Sequence, residues 1–405
     1  MRVAVATWSG RRVGGIEEYI SDVIPALRAA GHAVMLWHEM DGPGDRDPIA
    51  VPRDVPIVGA NSLGIKPAIE MLRDWQPDVI YIQGLVDSTL GPQLAEIAPS
   101  VFFVHTYAGM CISGGKTFTR PSVVPCDRRF GWPCLLHYFP HGCGGRNPMT
   151  MWRHYRRQQT RLSAYGRYHA ILTHTDHMCC ELAKHGLQAE ALAYPVSSPG
   201  AMAVQEDSGP WRLLFAGRMD FLKGSLYLLE ALPNVVSRLD RPIRMTFAGD
   251  GCDRPKLESR AHEIQGRLPK LEVVFTGWVF RGQVSALLED TDLLVVPSLW
   301  PEPFGTVGPA AGCHGVPAAA FAVGGIPHWL HDGMNGHLAP GHPPTPSGLA
   351  DAILKCLSDP KHYADLQEGA SRVAATFSMQ EHLLQLLRVF RRVTAAPAVA
   401  AASHG

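Results

Sequence analysis

Apolar and polar positions alternate along this chain with two distinct periods. Short apolar runs of strand length fall at residues 2–7, 33–37, 79–82, 101–105 and 170–174. Between them lie segments with the spacing of helices. In 17–30 the apolar positions are Tyr19, Ile20, Val23, Ile24 and Leu27, and Gly31 ends the run. Segment 67–75 opens on a proline, which a first helical turn accepts. Segment 151–165 is also helical in pattern. After the turn sequence Asp207-Ser208-Gly209-Pro210 the alternation restarts, with strands expected at 211–216, 244–248, 272–276, 293–297 and 316–320. An amphipathic helix, 379–393, closes it.

Strand–helix alternation predicts an α/β fold whose parallel sheets are covered on both faces. Its restart, in a chain of 405 residues, predicts two domains. We expect an N-terminal doubly wound domain at 1–200 with an insertion at 107–150, joined near 195–210 to a C-terminal one at 201–375. The segment 376–393 holds the closing helix, and 394–405 is too short and bland to pack, so it reads as a disordered tail. Ligands of doubly wound sheets bind beyond the carboxyl ends of the strands. The loops after strands are therefore the informative positions.

Composition narrows the classes. Apolar residues make up 46% and charged residues 18%, a globular balance. Lysine plus arginine equals aspartate plus glutamate, 37 each, which disfavours a nucleic-acid binder working through bulk charge. No run approaches the ~18 apolar residues of a membrane span. The first apolar run is too short for a signal-peptide core. A cytoplasmic protein of enzyme size is expected. Nine cysteines are too few for a disulfide scaffold.

Three loops carry candidate chemistry. The first runs through Gly14-Gly15 into a helix, which suits either an anion at the helix N-terminus or a plain tight turn. The second is Gly217-Arg218-Met219-Asp220-Phe221-Leu222-Lys223-Gly224, with two cations five apart directly after a strand. An arginine fork and a compact ammonium would suit a diphosphate, and the alternative is a pair of solvated surface cations. The third is Pro301-Glu302-Pro303-Phe304-Gly305-Thr306. Its prolines hold Glu302 extended, and Gly305 is expected to open a helix. Glu302 could hydrogen-bond sugar hydroxyls beside that helix end, or merely cap it.

With these loops in order, the chain resembles the family 4 (group 1) glycosyltransferases of the GT-B fold. The matching pieces include Gly14-Gly15-Ile16-Glu17, Pro77-Asp78-Val79-Ile80, His105, Ala216-Gly217-Arg218 with Lys223-Gly224, and Phe247-Ala248-Gly249-Asp250-Gly251. They continue through Phe275-Thr276-Gly277-Trp278-Val279, Pro297-Ser298 with Glu302-Pro303-Phe304-Gly305, and Asp332-Gly333-Met334-Asn335-Gly336. The resemblance implies two facing Rossmann-like domains with the last helix crossing back to the first. It implies retaining, metal-independent transfer of a sugar from a nucleotide donor, a UDP- or GDP-sugar, to a hydroxyl of a glycan, lipid-linked glycan or small molecule, with no cofactor. Arg218 and Lys223 would hold the donor diphosphate, His105 would meet the donor sugar, and Glu302 would bind sugar hydroxyls. Gly217 and the amides of Phe304, Gly305 and Thr306 would assist at the phosphate. Gly14 and Gly15 would lie near the diphosphate and acceptor, and Trp278 and Val279 near the base.

One position departs from the family pattern. A second glutamate, contacting the nucleotide ribose, is expected eight residues after Glu302, and the chain has Ala310 there. A ribose contact of this kind is worth roughly 1–3 kcal/mol. A weakened or different donor site follows, or a non-catalytic homologue that binds a nucleotide sugar or a protein partner. A sugar-nucleotide epimerase ranks last, for want of a pair of acid/base carboxylates.

The remaining motifs are weaker. Asp45-Arg46-Asp47 and Asp290-Thr291-Asp292 have the spacing of metal-binding pairs, but the second directly precedes a buried strand and reads as a turn. Gly115-Lys116-Thr117 lacks the earlier glycine of a P-loop, since Met110 stands there. Cys111, Cys126, Cys134 and Cys143 cluster in the insertion without a Cys-x-x-Cys pair, and zinc, a disulfide and free thiols all stay open. Between Asp127 and Asp176 there is no acidic residue but eight arginines, among them Arg153, Arg156, Arg157 and Arg161, interleaved with aromatics. That face suits an anionic membrane surface or a phosphate-bearing acceptor, or is simply solvated.

Overall fold

The computed structural model describes residues 1–196 and 209–395. Most of the expected join and the expected tail from 396 onward lie outside the described residues.

The first half contains strands β1 (Arg2–Ser9), β2 (Ala33–Met40), β3 (Ile57–Gly59), β4 (Val79–Ile82), β5 (Ser100–Val104), β6 (Thr117–Phe118), β7 (Val124–Pro125), β8 (Ala170–Thr173) and β9 (Glu190–Ala191). Seven of them form a parallel sheet in the order β3-β2-β1-β4-β5-β8-β9. The second half contains β10 (Trp211–Ala216), β11 (Ile243–Ala248), β12 (Leu271–Gly277), β13 (Leu293–Val296), β14 (Ala318–Phe321) and β15 (Gly336–Ala339). These form a second parallel sheet, β12-β11-β10-β13-β14-β15. Each sheet reverses its direction of winding at its first strand, between β1 and β4 and between β10 and β13. Crevices for ligands open at such reversals.

Both faces of the first sheet are buried, which is why its strands read as continuous apolar runs. Val3, Val5, Leu36, Tyr81 and Phe103 point to one core, and Ala4, Ala6, Trp37, Ile82 and Val104 to another. The closing helix, Met379–Ala395, packs on the first domain through His382, Leu386, Val389, Phe390 and Val393. The Phe390 and Tyr81 rings lie 5.3 Å apart, and His382 Nε2 is 2.8 Å from the Tyr19 hydroxyl. Burying Leu386 and Phe390 contributes roughly 1.5–3 kcal/mol each, enough to fix the chain's return to its first domain.

Several elements differ from their expected form. The helix expected at 151–165 starts at Pro148, because the Asn147 side chain accepts the Met149 and Thr150 amides. The strand expected at 316–320 is Ala318–Phe321, since Pro317 has no amide to donate to a ladder. The short edge strands β3, β9 and β15 escape a periodicity reading. The irregular insertion contains the β6–β7 hairpin and a short helix, Pro133–His137. It is pinned by Lys116, 2% exposed, whose Nζ lies 2.8 Å from Glu181 Oε2 on helix Asp176–Ala183. Lys184 Nζ donates to the other oxygen at 2.6 Å.

Candidate functional site

Glu302 is the best-held polar side chain of the cleft. It follows β13 and is 5% exposed. Its Oε1 accepts from Lys223 Nζ at 2.6 Å and from Ser298 Oγ at 2.6 Å. Lys223 comes from the loop after β10, where the Asp220 side chain accepts its amide. The Lys223 ammonium also lies 5.4 Å from the centre of the Trp300 ring. The two loops flanking the winding reversal of the second sheet thus meet at one ion pair.

The backbone around Glu302 is fixed on three successive carbonyls. Pro301 accepts from the Tyr107 hydroxyl at 2.8 Å, Glu302 from the Gly325 amide at 2.6 Å, and Pro303 from Thr175 Oγ1 at 3.0 Å. Tyr107 and Thr175 belong to the first domain, so the domain interface itself positions this carboxylate. Gly324 passes so close that an added Cβ would sit 2.4 Å from the Glu302 carbonyl oxygen.

The helix expected to open at Gly305 starts instead at Val307 and ends at Gly312. Gly305 has φ of +87°, a left-handed conformation that cannot begin a helix. Thr306 precedes that helix and is exposed, whereas Phe304 is buried. Ala310 is half-buried on this helix and packs against the core.

His105 follows β5 directly and is buried. Its Nε2 is 2.9 Å from Gln83 Oε1, and its Nδ1 is 2.6 Å from the Tyr194 hydroxyl and 3.3 Å from His174 Nε2. An amide oxygen only accepts, so Nε2 carries the proton and Nδ1 accepts from Tyr194. Burial depresses the His105 pKa to about 3, and His174 is likewise held neutral. The Phe304 ring of the second domain lies 6.0 Å from His174 and 6.3 Å from Tyr194. Aromatic packing thereby links the two halves of the cleft. No sequence signal marks Gln83, His174 or Tyr194, because they converge from separate loops.

The other expected residues are placed less tightly. Arg218 is exposed, with Nη2 3.6 Å from Asp220 Oδ2, and Gly217 precedes it with its amide bonded to the Ala248 carbonyl. Gly14 and Gly15 are exposed at the N-terminus of helix Gly15–Ala29. Glu17 folds back to accept the Gly14 amide at 2.8 Å, and burial raises its pKa. Trp278 carries the Arg46 guanidinium from the first domain at 4.4 Å from its ring centre, while Val279 packs against the core.

The Asp-x-Asp pairs are engaged elsewhere. Arg212 binds both Asp290 and Asp292, and Asp47 pairs with Arg12 at 2.9 Å. Among the described residues no three His, Cys, Asp or Glu side chains are placed to share a metal ion. Cys111, Cys126, Cys134 and Cys143 are all unpaired thiols. The arginines of helix Pro148–Tyr165 divide: Arg153, Arg156 and Arg157 are exposed, and Arg161 is half-buried. No described helix is long and apolar enough to cross a membrane.

Comparison with known proteins matches this architecture. Residues 13–193 match the profile described as Glycosyltransferase Family 4, and residues 210–359 that described as Glycosyl transferases group 1. An uncharacterized glycosyltransferase of Methanocaldococcus jannaschii is 31% identical over 159 residues, 39% of this chain and 38% of that protein. A D-inositol 3-phosphate glycosyltransferase of Xylanimonas cellulosilytica is 32% identical over 209 residues, 51% of this chain and 45% of that protein. The matches thus span less than half the length of these curated relatives. Among solved structures, Anabaena HepE in complex with UDP superimposes with a TM-score of 0.66 at 18% identity, over 97% of this chain and 100% of that one. Sucrose-phosphate synthase from Thermosynechococcus elongatus superimposes with a TM-score of 0.69 at 18% identity, over 98% and 100%.

Proposed function

Because the chain belongs to the family 4 (group 1) glycosyltransferases and has their two-domain GT-B fold, we propose that it transfers a sugar, with retention, from a nucleotide-diphosphate donor to an acceptor hydroxyl. The observation that carries this reading is the Lys223–Glu302 contact where the second sheet reverses its winding. Departure of a nucleoside diphosphate builds negative charge beside the leaving oxygen. Lys223, held at Glu302, and the exposed Arg218 are cations on the loop that would face it, and positive charge positioned there stabilises such a transition state. Glu302, held by Ser298 and the ammonium, would accept sugar hydroxyls. Buried, neutral His105 would meet the donor sugar as an uncharged group rather than a cation. These cations supply the charge a divalent metal would otherwise provide, so we infer a metal-independent reaction without cofactor.

UDP is the favoured carrier, since HepE has been crystallised with UDP and with UDP-glucose. The test is calorimetric titration of UDP, GDP and ADP into protein with EDTA present, with hydrolysis of the matching nucleotide sugars followed in parallel. Selective binding with EDTA-insensitive hydrolysis supports the reading. Binding without any turnover favours a non-catalytic homologue, the outcome that Ala310 makes worth testing.

We also propose that the insertion rests on an anionic bilayer. Leu136 on the short helix Pro133–His137, Trp132 and Phe139 flanking it, and Met149 and Trp152 on helix Pro148–Tyr165, are exposed. Among the described residues none of Arg128, Arg129, Arg153, Arg156 and Arg157 has an ion-pair partner. Exposed tryptophans beside unpaired guanidiniums suit a headgroup layer. Co-flotation with vesicles containing phosphatidylglycerol, but not with pure phosphatidylcholine, checks this. Loss of flotation is expected in a Trp132→Ser, Trp152→Ser variant.

A further inference from the structure

The Lys223 side chain has two partners of different kinds. Its Nζ donates to Glu302 Oε1 at 2.6 Å and stands 5.4 Å from the centre of the Trp300 ring. The backbone beneath it is clasped to the neighbouring loop, since the Leu299 and Trp300 amides both donate to the Leu222 carbonyl, at 2.8 and 3.3 Å. A flexible four-carbon stem separates that held backbone from the ammonium. The carboxylate and the indole are therefore what hold the charge in place.

The carboxylate is a partner that a ligand displaces. Glu302 is the group assigned to sugar hydroxyls, and a diphosphate oxygen arriving at Lys223 competes with it directly. An aromatic face attracts an ammonium through its quadrupole and carries no charge of its own. That attraction persists beside a bound anion. The ring is also held against turning away. It belongs to the second domain but packs against an apolar cluster of first-domain residues that includes Tyr107 and Met110. Tyr107 meets it edge-on, with ring centres 6.1 Å apart and planes at 79°.

Packing alone does not account for an indole at this place. Trp300 Nε1 is buried without a hydrogen-bond partner, a cost that a phenylalanine would avoid. Among side chains, tryptophan presents the face that attracts cations best. A local rule broken in this way is expected where function sets the residue.

We propose that Trp300 is a positioning residue for the transfer, and that its face keeps the Lys223 ammonium at the leaving diphosphate once the donor has broken the Lys223–Glu302 contact. The proposal rests on the glycosyl-transfer reading and adds to it the group that steadies its principal cation.

The test measures hydrolysis of UDP-, GDP- and ADP-glucose, and affinity for the matching nucleotides, by the full chain. The variants are Trp300→Phe, Trp300→Leu, Lys223→Ala and the Lys223→Ala, Trp300→Leu double. Trp300→Leu should lower turnover roughly tenfold, with Trp300→Phe between it and the wild type. Nucleotide affinity should fall less than turnover, because the charge on the leaving oxygen is complete only as the bond breaks. In the Lys223→Ala background the same leucine should cost less than about twofold, since its effect runs through the ammonium. Mono-, di- and trifluorinated tryptophans placed at position 300 by nonsense suppression drain the face and nearly keep the shape. Turnover should fall stepwise along that series while the melting temperature holds. Equal turnover across the fluorinated series, or a leucine effect of the same size with and without Lys223, overturns the proposal and leaves Trp300 as a wedge in the domain interface. A wild type that neither binds nor hydrolyses any of the three nucleotides' conjugates would remove the glycosyl-transfer reading, and this proposal with it.

Discussion

The Tyr107 hydroxyl of the first domain donates to the Pro301 carbonyl of the second over 2.8 Å, one residue before Glu302. The same hydroxyl lies 2.8 Å from His177 Nε2, which orients it. A carboxylate assigned to the donor is thus aimed by the opposite domain. Tyr107→Phe removes this bond and keeps the ring. A neutral hydrogen bond of this kind is worth about 1 kcal/mol, so a several-fold fall in kcat with near-normal UDP affinity is expected. Steady-state kinetics beside calorimetry read both; a change confined to UDP affinity would contradict the positioning role.

Lys223→Ala should lower kcat/KM by about 10²–10³, the usual effect of removing one fixed group that stabilises transition-state charge. Glu302→Gln should also lower turnover. The double variant should fall short of the product of the single effects, because the residues share one contact. Circular dichroism checks that the fold survives, and wild-type turnover in Lys223→Ala would remove its assigned role.

Gly324→Ala tests the backbone behind Glu302. Gly324 has φ of +58°, and the added methyl would press on the Glu302 carbonyl. Overpacking of this kind costs roughly 1–3 kcal/mol, with a further penalty for the left-handed backbone. A lowered melting temperature together with lost activity is expected. An unchanged melting temperature would show that the turn accommodates a side chain.

Acid should destabilise the closing helix. Burial lowers the His382 pKa to about 4 from an ordinary value of 6.5. The unfolded chain therefore takes up this proton at a higher pH than the folded one. The associated stability is present above pH 6.5 and is lost as pH falls from about 6.5 toward 4, at about 1.4 kcal/mol per pH unit. His105 and His174 act in the same direction. Urea unfolding at pH 7, 6 and 5 should show a shallower pH slope in His382→Gln, even where that variant is less stable at pH 7.

Lys116→Met should loosen the insertion. Lys116 lies within ion-pair distance of Glu181 Oε2, although their angles do not align for a hydrogen bond. Removing one partner of a buried pair costs roughly 3–5 kcal/mol, here eased by Lys184 at the other oxygen. Limited proteolysis should cut within 107–147 sooner than in the wild type, while UDP affinity stays unchanged. Equal cutting rates would argue that the apolar contacts of Ile112, Phe130 and Tyr138 suffice.

Much of the architecture is determined by local sequence. Runs such as 79–82 and 211–216 form strands over those same residues, because a parallel sheet buried on both faces needs uninterrupted apolar residues. Glycines and prolines after the strands mark the loops that carry Lys223 and Glu302, because backbone conformation there depends on few neighbours. Three features were decided only by the tertiary structure. Gly305 stands outside the following helix, held left-handed beside Trp329. Arg161 parts from Arg153 and Arg156, although spacing alone groups them. Gln83, Tyr107, Thr175 and Tyr194 gather around His105 and Glu302 from loops far apart in the chain. A hydrogen bond between such residues exists only once two sheets are wound and packed, so one-dimensional spacing holds no trace of it.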